Sequence, residues 1–200
     1  MRASRADIDA LPVFPLIDPV FLTLEEHAAL LGFAERNDAA FGAPDAGDYW
    51  KGRTLTPTHI NDEHVRGIFR QTRDRAIAKL STVLTEQLGP QPPLYSDLIN
   101  YARWPPGYEL QPHADSENPN GAPHPYPWRD FATVIYLNDD YDGGEIHFPN
   151  LGQELKPQPR MLVMFPGTTF FLHGVRRVTR GMRHTIASFI TFDPGHRFEF

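Results

Sequence analysis

The sequence predicts an α+β fold in which N-terminal helices support a β-sandwich or jelly roll. Three observations carry this expectation. Apolar residues follow a helical period over two stretches before residue 90. From residue 94 the pattern changes to short β-prone runs separated by Pro/Gly turns. Twenty prolines in 200 residues favour loops and strand edges over a helical bundle. The length suits one domain, which at this size buries roughly 70% of its unfolded surface. Residues 1–93 are expected to be mainly helical support and residues 94–192 the β-core.

The elements follow in order. Residues 1–17 read as an irregular or extended lead-in. Thr23 is a helix cap, and Leu24, Ala28, Leu31 and Phe33-Ala34 line one helix face to about Arg36. Residues 37–60 are rich in Gly, Pro and Asp, with short extended pieces such as Gly52-Arg53-Thr54-Leu55. Asn61 or Asp62 caps a longer helix through Val65, Ile68, Phe69, Ala76, Leu80, Val83, Leu84 and Leu88, ended by Gly89-Pro90. Strands are expected at Tyr95–Tyr101, Phe131–Asn138, Glu145–Pro149, Met161–Phe165, Thr169–His173 and Arg183–Phe192. Residues 116–130, with four prolines and no period, form a long surface loop of the kind that often carries function.

Composition excludes several function classes. With no cysteine, disulfides, thiolate metal sites and Cys nucleophiles are ruled out, so a metal must be held by His, Asp or Glu. The net charge of −6 weighs against nucleic acid, which is held mainly through its phosphates. No apolar run approaches the ~20 residues of a membrane span. Met1–Arg5 is not followed by the apolar run of a signal peptide, which reads as an unsecreted, cytoplasmic chain.

Two segments could carry chemistry. In His113-Ala114-Asp115, residues i and i+2 of a strand share a face and can reach one metal. The competing reading is a hydrogen-bonded His–Asp pair at a strand end, which so short a motif does not exclude. His173 ends an apolar run, where an ordinary core histidine is the alternative. Two His and one carboxylate with open positions make the facial triad of non-haem Fe(II) oxygenases. A keto-acid co-substrate there would need a buried cation. Arg183 suits that role, because its fork grips a carboxylate with two bonds. It shares a strand face with Thr185, Ala187 and Phe189.

The ordered motifs of residues 94–192 resemble one family. They are Asn100-Tyr101, Pro112-His113-Ala114-Asp115, Tyr136-Leu137-Asn138-Asp139, Gly143 to Pro149, Phe165-Pro166-Gly167, His173-Gly174-Val175 and Val178 to Arg183. Their order and the 60-residue spacing of His113 and His173 are similar to those of the prolyl 4-hydroxylase-like 2-oxoglutarate/Fe(II)-dependent dioxygenases. The resemblance implies a double-stranded β-helix, with iron held by His113, Asp115 and His173. It implies Arg183 and Tyr136 at the distal carboxylate of 2-oxoglutarate, with Tyr101, Thr185 and Ile146 as further pocket residues. It implies Fe(II), 2-oxoglutarate and O2, with ascorbate as an accessory. Collagen-type members carry Lys at the anchor position, so the Arg here places the chain nearer the bacterial and oxygen-sensing branches. Asp115 argues against halogenation, in which a small residue replaces the carboxylate.

The expected reaction is hydroxylation of an unactivated C–H bond, of a prolyl residue in a peptide or of a free amino acid or small metabolite. Tyr126, Trp128 and Arg129 in loop 116–130 are substrate candidates, and the loop is a candidate lid or side wall. Two rivals remain. Oxidative demethylation of nucleic acid uses the same triad but needs a basic groove. A cupin-like metal or ligand binder would need neither Arg183 nor Tyr136. Oligomeric state is not legible.

Overall fold

A computed structural model describes residues 2–41 and 49–200; residues 42–48, within the expected irregular stretch 37–60, lie outside the description. Helix α1 (Arg5–Asp9) is followed by β1 (Leu16–Asp18), α2 (Leu24–Arg36), β2 (Thr54–Leu55) and α3 (Glu63–Leu88). The strands β3 (Tyr95–Trp104), β4 (Leu110–His113), β5 (Phe131–Tyr136), β6 (Ile146–Phe148) and β7 (Gln153–Leu155) come next. The chain continues through β8 (Leu162–Pro166), β9 (His173–Val175) and β10 (Arg183–Thr191).

Helix limits follow local chemistry. Thr23 accepts from the Glu26 amide and Glu26 returns the bond to the Thr23 amide, a reciprocal cap that starts α2. Asp62 caps α3 through the Val65 amide, and Gly89, at φ +77°, ends it. The two helices are joined by Arg75 of α3, which places both guanidinium arms on Glu26 at 2.6 and 2.9 Å. Burial pushes the Glu26 carboxyl up, but Arg75 and the Thr23 cap outweigh it and hold it below the usual carboxylate range. The pair therefore stabilises the fold above that range and stops doing so as pH falls through the folded value. Arg75→Ala is expected to cost about 1 kcal/mol at pH 7, a figure reduced for the exposure of the Arg75 side chain. Melting curves of variant and wild type should converge in acid; a gap that persists there would assign the loss to something other than this ion pair.

All strand pairing is antiparallel. One sheet has the order β1-β8-β5-β10-β3-β2 and the other β4-β9-β6-β7. Residues from both sheets line one cavity, so the sheets face each other in the expected jelly roll. Along β10, Arg183, Thr185, Ala187 and Phe189 line that cavity. Ile186 and Ile190 join the hydrophobic core shared with Leu80 and Leu84 of α3. The alternation of the strand thus separates a packed face, against the helices, from a face free for chemistry.

The structure corrects three expectations. The lead-in contains α1, nucleated by a capping box between Ser4 and Asp7, and β1, which pairs with β8. Strand β3 runs three residues past Tyr101 to Trp104, because β10 offers paired positions along that length. Thr169–Phe171 is a 3-10 turn and not strand; the Glu117 carboxylate takes the Thr169 amide and hydroxyl, so this backbone is held by a side chain and not by a ladder. Among the described residues, no helix is long and apolar enough to cross a membrane.

Candidate active site

His113 and His173 lie 60 residues apart in the chain and directly opposite each other in the β4–β9 ladder. Their rings come to 4.4 Å, centroid to centroid. Each ring has Nδ1 against a backbone oxygen, Gln111 at 3.0 Å for His113 and Phe171 at 3.1 Å for His173. A carbonyl only accepts, so Nδ1 carries the proton and Nε2 presents its lone pair. Both Nε2 atoms face Asp115, at 3.6 Å from Oδ1 and Oδ2 respectively. The donor atoms of His113, Asp115 and His173 all lie within 4.8 Å of one another.

The electrostatics of this cluster suit a divalent cation. Asp115 is buried, and its Oδ2 has no hydrogen-bond partner. Burial raises the Asp115 carboxyl, yet His173, His113 and Arg129 prevail and hold it below the usual range. Burial drives His173 down to about 4, so it stays neutral and able to ligate at neutral pH. Burial also opposes protonation of His113, but the Asp115 carboxylate wins and raises it. A buried carboxylate oxygen without a donor and two correctly turned imidazoles make a donor set that fits Fe(II).

Asp115 sits two residues beyond the end of β4. Its amide and that of Ser116 donate to the Gly167 carbonyl at 3.0 and 2.9 Å. Gly167 is required for this approach, since a Cβ there would lie 2.4 Å from the Arg129 carbonyl oxygen.

Arg183 is 1% exposed, with its guanidinium 5.1 Å from the ring centres of both Trp104 and Tyr136. Arg183 Nε, Tyr136 Oη and Tyr141 Oη are all buried without partners. Two unsatisfied phenols beside a cation with its own Nε unpartnered are costly unless an anion binds them, so they fit a carboxylate. Burial, opposed by Arg183, pushes the Tyr136 phenol up to about 12, which keeps it a proton donor. Gly144, at φ +71°, closes the pocket; a Cβ there would meet Arg183 Cδ at 2.8 Å and the Tyr141 ring at 2.9 Å.

The cavity, about 120 Å³, joins the two clusters. Its lining includes His113, Asp115, His173, Arg183, Thr185 and Ile146 among apolar walls. Tyr101 does not reach it. Alternate residues Ala102 and Trp104 line the cavity, so Tyr101 faces the other way, with its hydroxyl 3.1 Å from His184 Nδ1. Nor do Tyr126, Trp128 and Arg129 line it. Arg129 is paired to Asp97 at 2.9 Å and stacks on Tyr126 and on the cavity-wall residue Phe189. Trp128 lies flat on His196 at 3.6 Å.

Trp104 and Tyr141 escaped the sequence reading. Trp104 is the ladder partner of Arg183, and its Nε1 donates to Thr185 Oγ1 at 3.3 Å. The signal was present in the Ala102/Trp104 alternation, had the strand been extended beyond Tyr101. Tyr141 sits in the turn before Gly143-Gly144, and no local pattern points it at Arg183.

The family model of the 2OG-Fe(II) oxygenase superfamily matches residues 98–191. Human prolyl 3-hydroxylase 1 is 42% identical over 79 residues, and mouse prolyl 3-hydroxylase 2 is 36% identical over 80. These matches cover 37% and 38% of this chain and 11% of each relative, so the chain spans only a small part of their length. Among solved structures, a Trichoplax adhaerens prolyl hydroxylase in complex with a hypoxia inducible factor peptide fragment superposes with TM-score 0.66. Its identity is 17%, over 96% of this chain and 90% of that one. A Pseudomonas putida prolyl-4-hydroxylase gives TM-score 0.62 at 19% identity, over 98% of this chain and all of that one. At such identities the structures speak for the fold, and the matched β-core carries the triad, the buried arginine and Tyr136. The match to the 2OG-Fe(II) oxygenase superfamily thus falls on that core, a little under half of the chain.

Proposed function

We propose that this protein is a 2-oxoglutarate- and Fe(II)-dependent dioxygenase that hydroxylates a prolyl residue within a peptide. The observation that carries the reading is the pairing, in one cavity, of a two-His, one-carboxylate cluster with a buried cation whose polar neighbours lack partners. His113, Asp115 and His173 would hold the iron, and Arg183 the distal carboxylate of 2-oxoglutarate. Bound there, Fe(II), 2-oxoglutarate and dioxygen would supply the oxidising power for hydroxylating a substrate C–H bond, with succinate and carbon dioxide as co-products.

This chain's own residues contribute binding, orientation and exclusion of water. Arg183 supplies a forked, fixed charge at the closed end of the cavity. Tyr136 and Tyr141 add phenol donors to the same carboxylate. Thr185, held by the Trp104 indole, and Ile146 shape the wall beside it. The Gln111 and Phe171 carbonyls keep both imidazoles turned toward Asp115. The apolar lining from Trp50, Leu110, Phe165, Val175 and Phe189 keeps bulk water from the reacting bond.

The charge inventory of the cavity favours a peptidyl substrate over a free amino acid. Among the described lining residues, the charged or chargeable groups are the triad and Arg183. None is left over for the ammonium and carboxylate of a zwitterion. Arg129, engaged with Asp97 and stacked on the wall residue Phe189, is proposed to act at the rim, on a substrate carbonyl. Tyr126 and Trp128 would act there only as outer contacts of loop 116–130. The relatives named for prolyl hydroxylation support the same choice.

The test is spectroscopic and then chemical. Fe(II) followed by 2-oxoglutarate, added without oxygen, should produce the visible iron-to-keto-acid charge-transfer band, lost in His113→Ala. With oxygen, succinate release should rise with proline-containing peptides and not with free proline. An iron-loaded protein without the band would overturn the cofactor reading. Stimulation by free proline alone would replace the peptide with a small metabolite.

A further inference from the structure

The β4–β9 ladder sets the two histidines opposite each other, but it ends at His113, before Asp115. The aspartate must be registered by something else. Beyond the ladder, residues 115–117 run beside residues 167–169, and a second set of bonds joins them. The Asp115 and Ser116 amides and the Ser116 hydroxyl donate to the Gly167 carbonyl. Glu117 Oε2 then accepts from the Thr169 amide at 2.9 Å and from its hydroxyl at 3.0 Å. The other carboxylate oxygen accepts from Arg5 Nη1 at 2.7 Å.

Arg5 belongs to a segment outside the matched β-core. That segment touches the same loops through three residues. Arg2 pairs with Asp130, Arg5 with Glu117 and the Pro127 carbonyl, and Asp9 accepts from the Thr168 hydroxyl at 2.7 Å. Residues 2–9 therefore reach Thr168, next to Gly167, and both ends of loop 116–130.

We propose that Glu117, held by Arg5, is a positioning residue for the metal site. It ties the segment that leaves Asp115 to the turn that enters His173, so the carboxylate and the distal imidazole keep one spacing before metal arrives. The N-terminal segment thereby becomes part of the metal-binding unit. Residue chemistry supports the role. A carboxylate can take the Thr169 amide and hydroxyl on one oxygen and a guanidinium on the other, which a neutral side chain cannot reproduce in full. The 3-10 turn at Thr169–Phe171, where a strand was expected, is the backbone consequence of that bond. It also aims the Phe171 carbonyl at His173 Nδ1. The proposal rests on the metal-site reading above.

The experiment measures Mn(II) affinity of the full chain without oxygen, by calorimetry, for wild type, Glu117→Ala, Arg5→Ala and Arg75→Ala. Outer-shell partners of metal ligands are typically worth 10–100-fold in affinity. Glu117→Ala should weaken Mn(II) binding by roughly that factor, and Arg5→Ala by a smaller one. The affinity of the Mn(II)-loaded protein for 2-oxoglutarate should change less than about threefold, since Arg183 is untouched. Arg75→Ala removes an ion pair between α2 and α3, and should lower the melting temperature while leaving the Mn(II) affinity unchanged. Should Glu117→Ala fail to fold, Glu117→Gln keeps an acceptor for Thr169 and gives up the charge that holds Arg5; its affinity should fall to the Arg5→Ala level. Wild-type affinity in Glu117→Ala, or in Glu117→Gln and Arg5→Ala together, would overturn the clamp. A wild-type protein that takes up no Mn(II) would overturn the metal-site reading itself, and the clamp with it.

Discussion

Asp115→Ala is expected to abolish metal binding and turnover while leaving the fold intact. The carboxylate is the member of the cluster that neutralises the cation's charge, and both Nε2 atoms are arranged about its two oxygens. Losing a ligand should exceed the loss from an outer-shell partner, so affinity should fall by more than roughly 100-fold. In the metal-free protein the change is mild for the opposite reason. Asp115 Oδ2 is buried without a donor, so its removal offsets the lost attraction of the carboxylate to His173, His113 and Arg129. Thermal melts separate the two effects. Wild type at a metal concentration about 100 times the dissociation constant should gain about 2.7 kcal/mol, and the variant almost none. Metal-dependent stabilisation equal to wild type, with turnover retained, would remove Asp115 from the ligand set.

Arg183→Met is expected to cripple 2-oxoglutarate binding and spare the metal. Methionine fills much of the arginine stem's space against Trp104 and Tyr136, so the packing is largely kept. The forked charge is lost, and Tyr136 Oη and Tyr141 Oη are left facing an anion without a cation. Truncating one partner of a buried, hydrogen-bonded charge pair costs about 2–5 kcal/mol, which is roughly 30- to 5,000-fold in affinity. Metal affinity measured without 2-oxoglutarate should stay near wild type, because Arg183 is not among the clustered metal donors. Arg183→Lys should fall between, keeping the charge and losing the two-pronged geometry. An unchanged dissociation constant for 2-oxoglutarate in Arg183→Met would place the anchor elsewhere.

The two variants separate the halves of the site, and the chain made the halves unequally legible. His113, Asp115, His173 and Arg183 stand in short motifs whose order alone suggests the family. Thr185 followed from the alternation of its strand, whereas Tyr136 and Ile146 came only with the resemblance. Tyr101 does not reach the pocket, because its neighbour Ala102 faces the cavity and the tyrosine is turned to the helix side. Arg129 reads as a substrate candidate in a polar loop, yet Asp97 of β3, 32 residues earlier, engages its charge. Trp128 likewise has its partner far along the chain, at His196. Partners brought in from a distance are what a linear pattern cannot contain.

What the linear pattern does contain is everything local. Helix limits at Thr23, Asp62 and Gly89 depend on residues within one turn, and so they are readable. Strand faces depend on a two-residue period, and so Arg183, Thr185, Ala187 and Phe189 could be assigned to one side. The tertiary structure decided the register that sets His113 against His173 and Trp104 against Arg183. It also decided that the N-terminal segment, expected to be an irregular or extended lead-in, binds the loops around Asp115. Register and long-range charge pairing arise only when the two sheets close on each other. They are set by the burial of the opposite strand faces against the helices, which no residue specifies alone.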